Sequence, residues 1–245
     1  MKFARLFHNP FLEPAVSHDE LLACTTETRE RLVANNPGGA FDDLIAGITG
    51  AVAELRAASV SNMVKLGNRK GAKLTKRKFR REMPGKLARI AGAVMAQYGS
   101  RSGEMRQVFP NGRRQFLRTV DDLLGSSLSS LVTVLTALAG AMGDLGTMAL
   151  GLAQELQTSW TALHGASEQS TGQKAAAEQA QREARVKVGA QMHLALLTVT
   201  AHFVRAAAAE GKVVTKKEAA AHTALYFRQD LLKDRTRRKK AAPAP

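Results

Sequence analysis

A chain of 245 residues, 44% of them hydrophobic, is long enough for a sizeable core and too apolar to be disordered throughout. Aromatic residues make up only 5%, which points to helices packed through Ala, Leu, Gly and Val. A single cysteine, Cys24, excludes an internal disulfide, and a net charge of +15 excludes an electrically balanced surface.

Residues 1–39 are expected to form an N-terminal segment with one short helix. The opening MKFARLFHNPF lacks the apolar run of a signal peptide, which together with the lone cysteine leads us to expect a cytoplasmic protein. Ser17 and Glu20 have the spacing of a capping box, in which a Ser side chain and a Glu three residues on satisfy each other's backbone N–H groups. This predicts a helix over about 18–34, ended by Asn35-Asn36-Pro37-Gly38-Gly39.

Residues 40–211 are expected to be a four-helix bundle of two hairpins, 41–98 and 114–210. In the first, Phe41, Ile45, Ile48, Val52, Leu55, Ser59, Asn62 and Leu66 recur at alternating intervals of four and three, a heptad seam. Gly67 and Gly71 predict a break or bend. Phe79, Met83, Leu87, Ile90, Val94 and Tyr98 then share one helical face that runs through Pro84, which either starts a helix or kinks one. The stretch YGSRSGEMRQVFPNGRR (98–114) reads as a loop with a turn at Phe109-Pro110-Asn111-Gly112.

The strongest periodicity follows. Leu117, Asp121, Leu124, Leu128, Leu131, Leu135, Leu138, Met142, Leu145, Ala149, Leu152, Leu156 and Leu163 keep a heptad register, with Ser159 in the one weak slot. They predict one helix over 114–164. GASEQSTGQ (165–173) reads as a polar turn, and 174–210 as another long helix with Val188, Met192, Leu196, Val199, Phe203 and Ala206 in its seam. Thr215 and Glu218 form a second capping box, opening a C-terminal helix within 212–234, and 235–245 reads as a disordered basic tail. The expected fold class is all-α: an elongated antiparallel helical bundle of two long helical hairpins with shorter terminal helices. The most apolar stretch, Leu128–Ala153, is interrupted by Asp144, glycines and hydroxyl residues, so no membrane span is expected there.

Charge is unevenly placed. Residues 12–63 hold eight acids and three bases, whereas 64–118 hold sixteen bases and two acids. Such a contrast creates an acidic and a basic region. The densest run, Lys70–Lys86, falls mostly off the Phe79–Tyr98 apolar face and is expected to be the solvated side of a helix. Its candidate nucleic-acid-binding residues are Lys73, Lys76, Arg77, Lys78, Arg80 and Arg81, assisted by Arg113, Arg114 and the tail residues Arg237, Arg238, Lys239 and Lys240. Few aromatics accompany them, so binding would be to the phosphate backbone, salt-sensitive and sequence-tolerant. Catalytic patterns are lacking: no GxSxG, no P-loop spacing in Gly67–Lys73 and no HExxH. His164 with Glu168 and Glu218 with His222 have four-residue spacing but no further ligands, so neither a metal nor a cofactor is expected. The sequence therefore leads to the expectation of a non-enzymatic assembly protein that self-associates through its seams, with a basic surface open to nucleic acid or an acidic protein surface. The alternatives are a nucleic-acid binder in the first place, and a membrane-active bundle.

Overall fold

A computed structural model describes residues 9–14 and 16–228. The basic tail residues Arg237, Arg238, Lys239 and Lys240, and the far end of the expected C-terminal helix, lie outside that range. The fold is all-α, a bundle of seven α-helices among the described residues, with no strand among them. They are α1 (His18–Ala34), α2 (Asp42–Tyr98), α3 (Gly103–Val108), α4 (Arg114–Arg118), α5 (Asp121–Met142), α6 (Asp144–Ala209) and α7 (Lys216–Tyr226). Single 3₁₀ turns precede α1 and α2 at Pro10–Leu12 and Pro37–Gly39.

Both capping boxes form. Ser17 accepts from the Glu20 N–H while the Ser17 N–H donates to the Glu20 carboxylate at 2.8 Å, and Thr215 and Glu218 repeat the arrangement.

Two compact units share the long helices α2 and α6. One comprises residues up to Met63 and those from Ala176 on; the other is Val64–Ala175. The first unit packs α1 and α7 with the first part of α2 and the last part of α6, around Leu21, Leu32, Phe41, Ile48, Leu55, Val188, Met192 and Val199. The second packs the rest of α2 with α3, α4, α5 and the first part of α6, around Met83, Leu87, Ile90, Leu124, Leu128, Leu131, Leu135 and Trp160. Each fully buried Leu or Ile contributes roughly 1.5–3 kcal/mol of transfer free energy.

Three expected boundaries are corrected. First, α2 is a single 57-residue helix: Gly67 and Gly71 lie exposed inside it, and Pro84 sits within it without ending it. A helical glycine costs only about 1 kcal/mol, less than the seams on either side supply. Second, the expected helix over 114–164 is broken twice. Thr119 and Val120 are extended, and Gly143 turns the chain at φ 55°, a region that glycine enters without penalty. Across the Gly143 turn the buried positions slip one residue from the expected register, running from Met142 to Ala149, Ala153, Leu156 and Trp160, while Leu145 is left 37% exposed. Gly146 completes the turn, since a Cβ there would collide with the Ala139 carbonyl and lie 2.7 Å from its Cα. Third, the expected turn over 165–173 is helix. Buried positions in α6 continue from Ala149, Ala153, Leu156 and Trp160 through Ser167, Ser170 and Ala177 to Ala184 and Val188. The heptad simply passes to small polar residues there, so the hairpin turn lies at Gly143.

By length and composition, three helices are able to cross a membrane: α2, α5 and α6 hold windows of mean hydropathy 1.3, 1.6 and 1.3.

Candidate functional site

The basic run lies on α2 within the second unit, and its geometry divides it into two rows. The inner row is Lys76 and Arg80, one turn apart, with side-chain exposures of 12% and 21%. Both close on Asp121 at the start of α5: Lys76 Nζ lies 2.7 Å from Oδ2, and Arg80 Nη2 lies 2.6 Å from Oδ1. Arg80 also donates to the carbonyls of Phe116 at 3.1 Å and Thr119 at 2.7 Å. These carbonyls belong to the end of α4 and the extended link into α5, where helical partners run out. Arg80 is thus a structural pin that holds three segments together.

Beneath this pair lies Trp160, 1% exposed. The Lys76 ammonium is 5.4 Å and the Arg80 guanidinium 5.0 Å from its ring centroid, so both cations rest on the electron-rich indole. Phe79 packs on the same ring at 5.4 Å and His164 stacks on it at 5.6 Å. His164 Nδ1 lies 3.2 Å from Lys76 Nζ, which can only donate, and its Nε2 faces Asp122 Oδ1 at 3.6 Å. His164 is therefore occupied by the inner row and not paired with Glu168. Burial works against the Asp121 carboxylate, but hydrogen bonds and charge from Lys76 and Arg80 outweigh it and hold its pKa below the ordinary carboxylate value.

The outer row is Arg69, Lys73, Arg77 and Arg81, at four-residue intervals along α2. The last three are exposed and Arg69 is half-buried. None of the four forms an ion pair among the described residues. Successive members rise about 6 Å along the helix, giving a ridge ~18 Å long. Both rows line an open cleft of about 680 Å³, whose opposite wall is Ser167, Glu168 and Thr171 of α6. Six of its ten lining residues are cationic and two are acids, Asp121 and Glu168.

Of the residues expected from the sequence, Lys73, Lys76, Arg77, Arg80 and Arg81 are brought together in this cleft. Lys78 is exposed elsewhere on α2, 3.9 Å from Glu82. Arg113 and Arg114 are exposed at the start of α4 and do not line the cleft. The expectation that the run is a solvated face holds for the outer row; Lys76 and Arg80 turn inward, because the heptad stripe of α2 passes through position 76 on its way to Phe79 and Met83. Arg69, Ser167 and Thr171 were not anticipated. The signal available for Arg69 was its interval of four from Lys73. No signal marked the two hydroxyl residues, since they lie in the stretch that reads as a turn. Among the described residues no three His, Cys, Asp or Glu side chains are gathered in a way that would hold a metal ion.

No family model matches the chain, and neither a curated protein nor a solved structure does.

Two acids of the first unit pair within that unit. Glu54 bonds Lys187 at 2.7 Å and Glu27 bonds Arg31 at 2.9 Å.

Proposed function

We propose that this is a non-enzymatic helical protein that holds a phosphate polyanion, nucleic acid first, along the basic cleft of its second unit. The observation that carries this reading is the outer row: Arg69, Lys73, Arg77 and Arg81 stand without counter-ions on one rigid helix. Four unpaired cations within ~18 Å repel one another, and a polyanion relieves that repulsion while releasing its own condensed counter-ions. On one strand of a duplex, phosphates recur about every 3.4 Å of axis, so the ridge spans about five of them. Lys76 and Arg80 add a fixed positive floor whose position Asp121 and Trp160 set. No exposed aromatic side chain lines the cleft, so recognition is of backbone and not of bases.

The test is a mobility shift with mixed-sequence DNA duplexes near physiological salt. The expected result is micromolar or tighter binding that varies little between sequences and is lost when Arg69, Lys73, Arg77 and Arg81 all become Gln. Undiminished binding by that variant would remove the reading.

A second reading, assembly of copies, is favoured by a different observation. The outward face of α5 carries Ser126, Ser130, Thr133, Ala137 and Gly140 at intervals of four and three, and no charged residue occurs from Leu123 to Gly143. Several exposed hydroxyls there are already spent on the carbonyl four residues back, as in Ser130 to Ser126 and Thr133 to Ser129, both 3.1 Å. A face of small, internally satisfied residues allows close helix approach. Light scattering across a range of concentrations distinguishes the two: a salt-resistant oligomer supports assembly, and a monomer at every concentration counts against it.

A further inference from the structure

We propose that the cleft, beyond attracting polyanions, seats a single phosphomonoester group beside Arg69, so that it prefers the phosphorylated end of a nucleic-acid strand to the strand's interior. The inference rests on the phosphate-binding reading of the same cleft and assigns it a ligand class.

Shape comes first. A backbone lying along an exposed ridge needs no cavity, and Lys73, Arg77 and Arg81 alone would serve it. Here the cations instead border an open cleft of about 680 Å³, room enough for a group to enter. Next comes an unmet bond. The Nε of Arg69 is buried and has no acceptor. A buried donor without an acceptor is costly, and a guanidinium offers parallel N–H groups that match two phosphate oxygens. Lysine offers no such fork. Across the cleft, Ser167 and Thr171 present hydroxyls for which no hydrogen bond occurs among the described residues, and hydroxyls donate readily to phosphate.

Charge then separates monoester from diester. Asp121 is committed to Lys76 and Arg80, so the charges left for a ligand are Arg69, Lys73, Arg77 and Arg81 against Glu168. A diester inside a strand brings one negative charge, and its flanking sugars keep it at the rim. A terminal monoester brings about 1.5 to 2 charges, three free oxygens and a single tether, and so can enter. Glu168 opposes the same anion, and its removal tightens the site.

The same chemistry is available from a strand end or from a small phosphorylated molecule, and the experiment separates them. One duplex is prepared with 5′-phosphate ends and with 5′-hydroxyl ends, labelled at a 3′ end, and titrated by fluorescence polarisation at several salt concentrations. AMP is the competitor. The expected result is about tenfold tighter binding of the phosphorylated duplex, equivalent to about 1.4 kcal/mol. In Arg69→Lys, which keeps the charge and loses the fork, that preference should vanish, so that the phosphorylated and hydroxyl duplexes bind alike. Glu168→Gln should strengthen the preference. Circular dichroism confirms that both variants fold. AMP displacing the phosphorylated duplex at micromolar concentration supports the seat and makes a small phosphate ester its occupant; displacement only at millimolar concentration supports the strand end. Equal binding of both duplexes with a steep salt dependence overturns the seat and leaves the polyanion reading standing. Absence of binding to either duplex and to AMP overturns both.

Discussion

The two units solve packing alike and charge differently. Both bury aliphatic seams of α2 and α6, completed by shorter helices. In the first unit some charged side chains pair on the same or a neighbouring helix, as in Glu54 with Lys187 and Glu27 with Arg31. Exposed pairs of that kind contribute little to stability and leave little net field. In the second unit one carboxylate, Asp121, serves two cations, and four more around the same cleft have none. Since the fold needs only Lys76 and Arg80, the surplus is what the second unit carries beyond structure.

The largest expected effect comes from the two cores. Leu128→Ala and Leu32→Ala each remove a fully buried side chain and should cost about 2–5 kcal/mol in thermal or denaturant unfolding. If function belongs to the second unit, only Leu128→Ala should weaken DNA binding at a temperature where both variants remain mostly folded. Equal weakening would erase the contrast between the units. Next, Gly146→Ala drives a methyl group into Ala139 at the α5–α6 turn and should cost about 1–3 kcal/mol by denaturant unfolding. A neutral outcome would mean that the turn opens freely.

Asp121→Asn leaves Lys76 and Arg80 half-buried without their counter-ion and should cost about 1–2 kcal/mol at neutral pH. The folded-state pKa of Asp121 is lowered, so its contribution is complete above the unfolded value of about 3.9 and is lost as pH falls through the folded value. The variant should therefore show a shallower loss of stability on acidification, measured as unfolding midpoint against pH. The smallest effect on stability is expected from the outer row. Each of Lys73→Gln, Arg77→Gln and Arg81→Gln should change stability by less than about 0.5 kcal/mol.

Much of this architecture is legible in the sequence, and its failures share one cause. Apolar periodicity located the seams of α2, α5 and α6, and both capping boxes fixed helix starts to the residue. The misread segments, about Gly67 and Gly71 in α2 and 165–173 in α6, keep the heptad interval but fill it with Arg69, Ser167 and Ser170, flanked by further polar inward positions at Ser59, Asn62, Lys65, Lys76 and Gln181. Polar residues at inward positions resemble a turn or a solvated face when read alone, because most of their partners lie far along the chain. Asn62 meets Gln181 at 2.6 Å, and Lys65 meets Gln173 at 3.2 Å. The same long-range pairing hid part of the candidate site. Charge density marked the cleft's cations, but nothing local marked Ser167 or Thr171, and Trp160 sits one residue past the slot that the heptad assigned to Ser159. Asp121 stood out as polar in a leucine seam, yet only the fold shows that it ties two cations to α5.

The most direct test of the central claim is the salt dependence of DNA binding by fluorescence polarisation. It compares the wild type, the variant with Arg69, Lys73, Arg77 and Arg81 all changed to Gln, and a control with Arg29 and Arg56 of the first unit changed to Gln. Each phosphate contact adds about 0.9 to the slope of log affinity against log salt. We expect the slope to fall by about 3–4 in the outer-row variant and to stay unchanged in the control. Equal slopes for all three proteins would contradict the assignment of phosphate binding to this cleft.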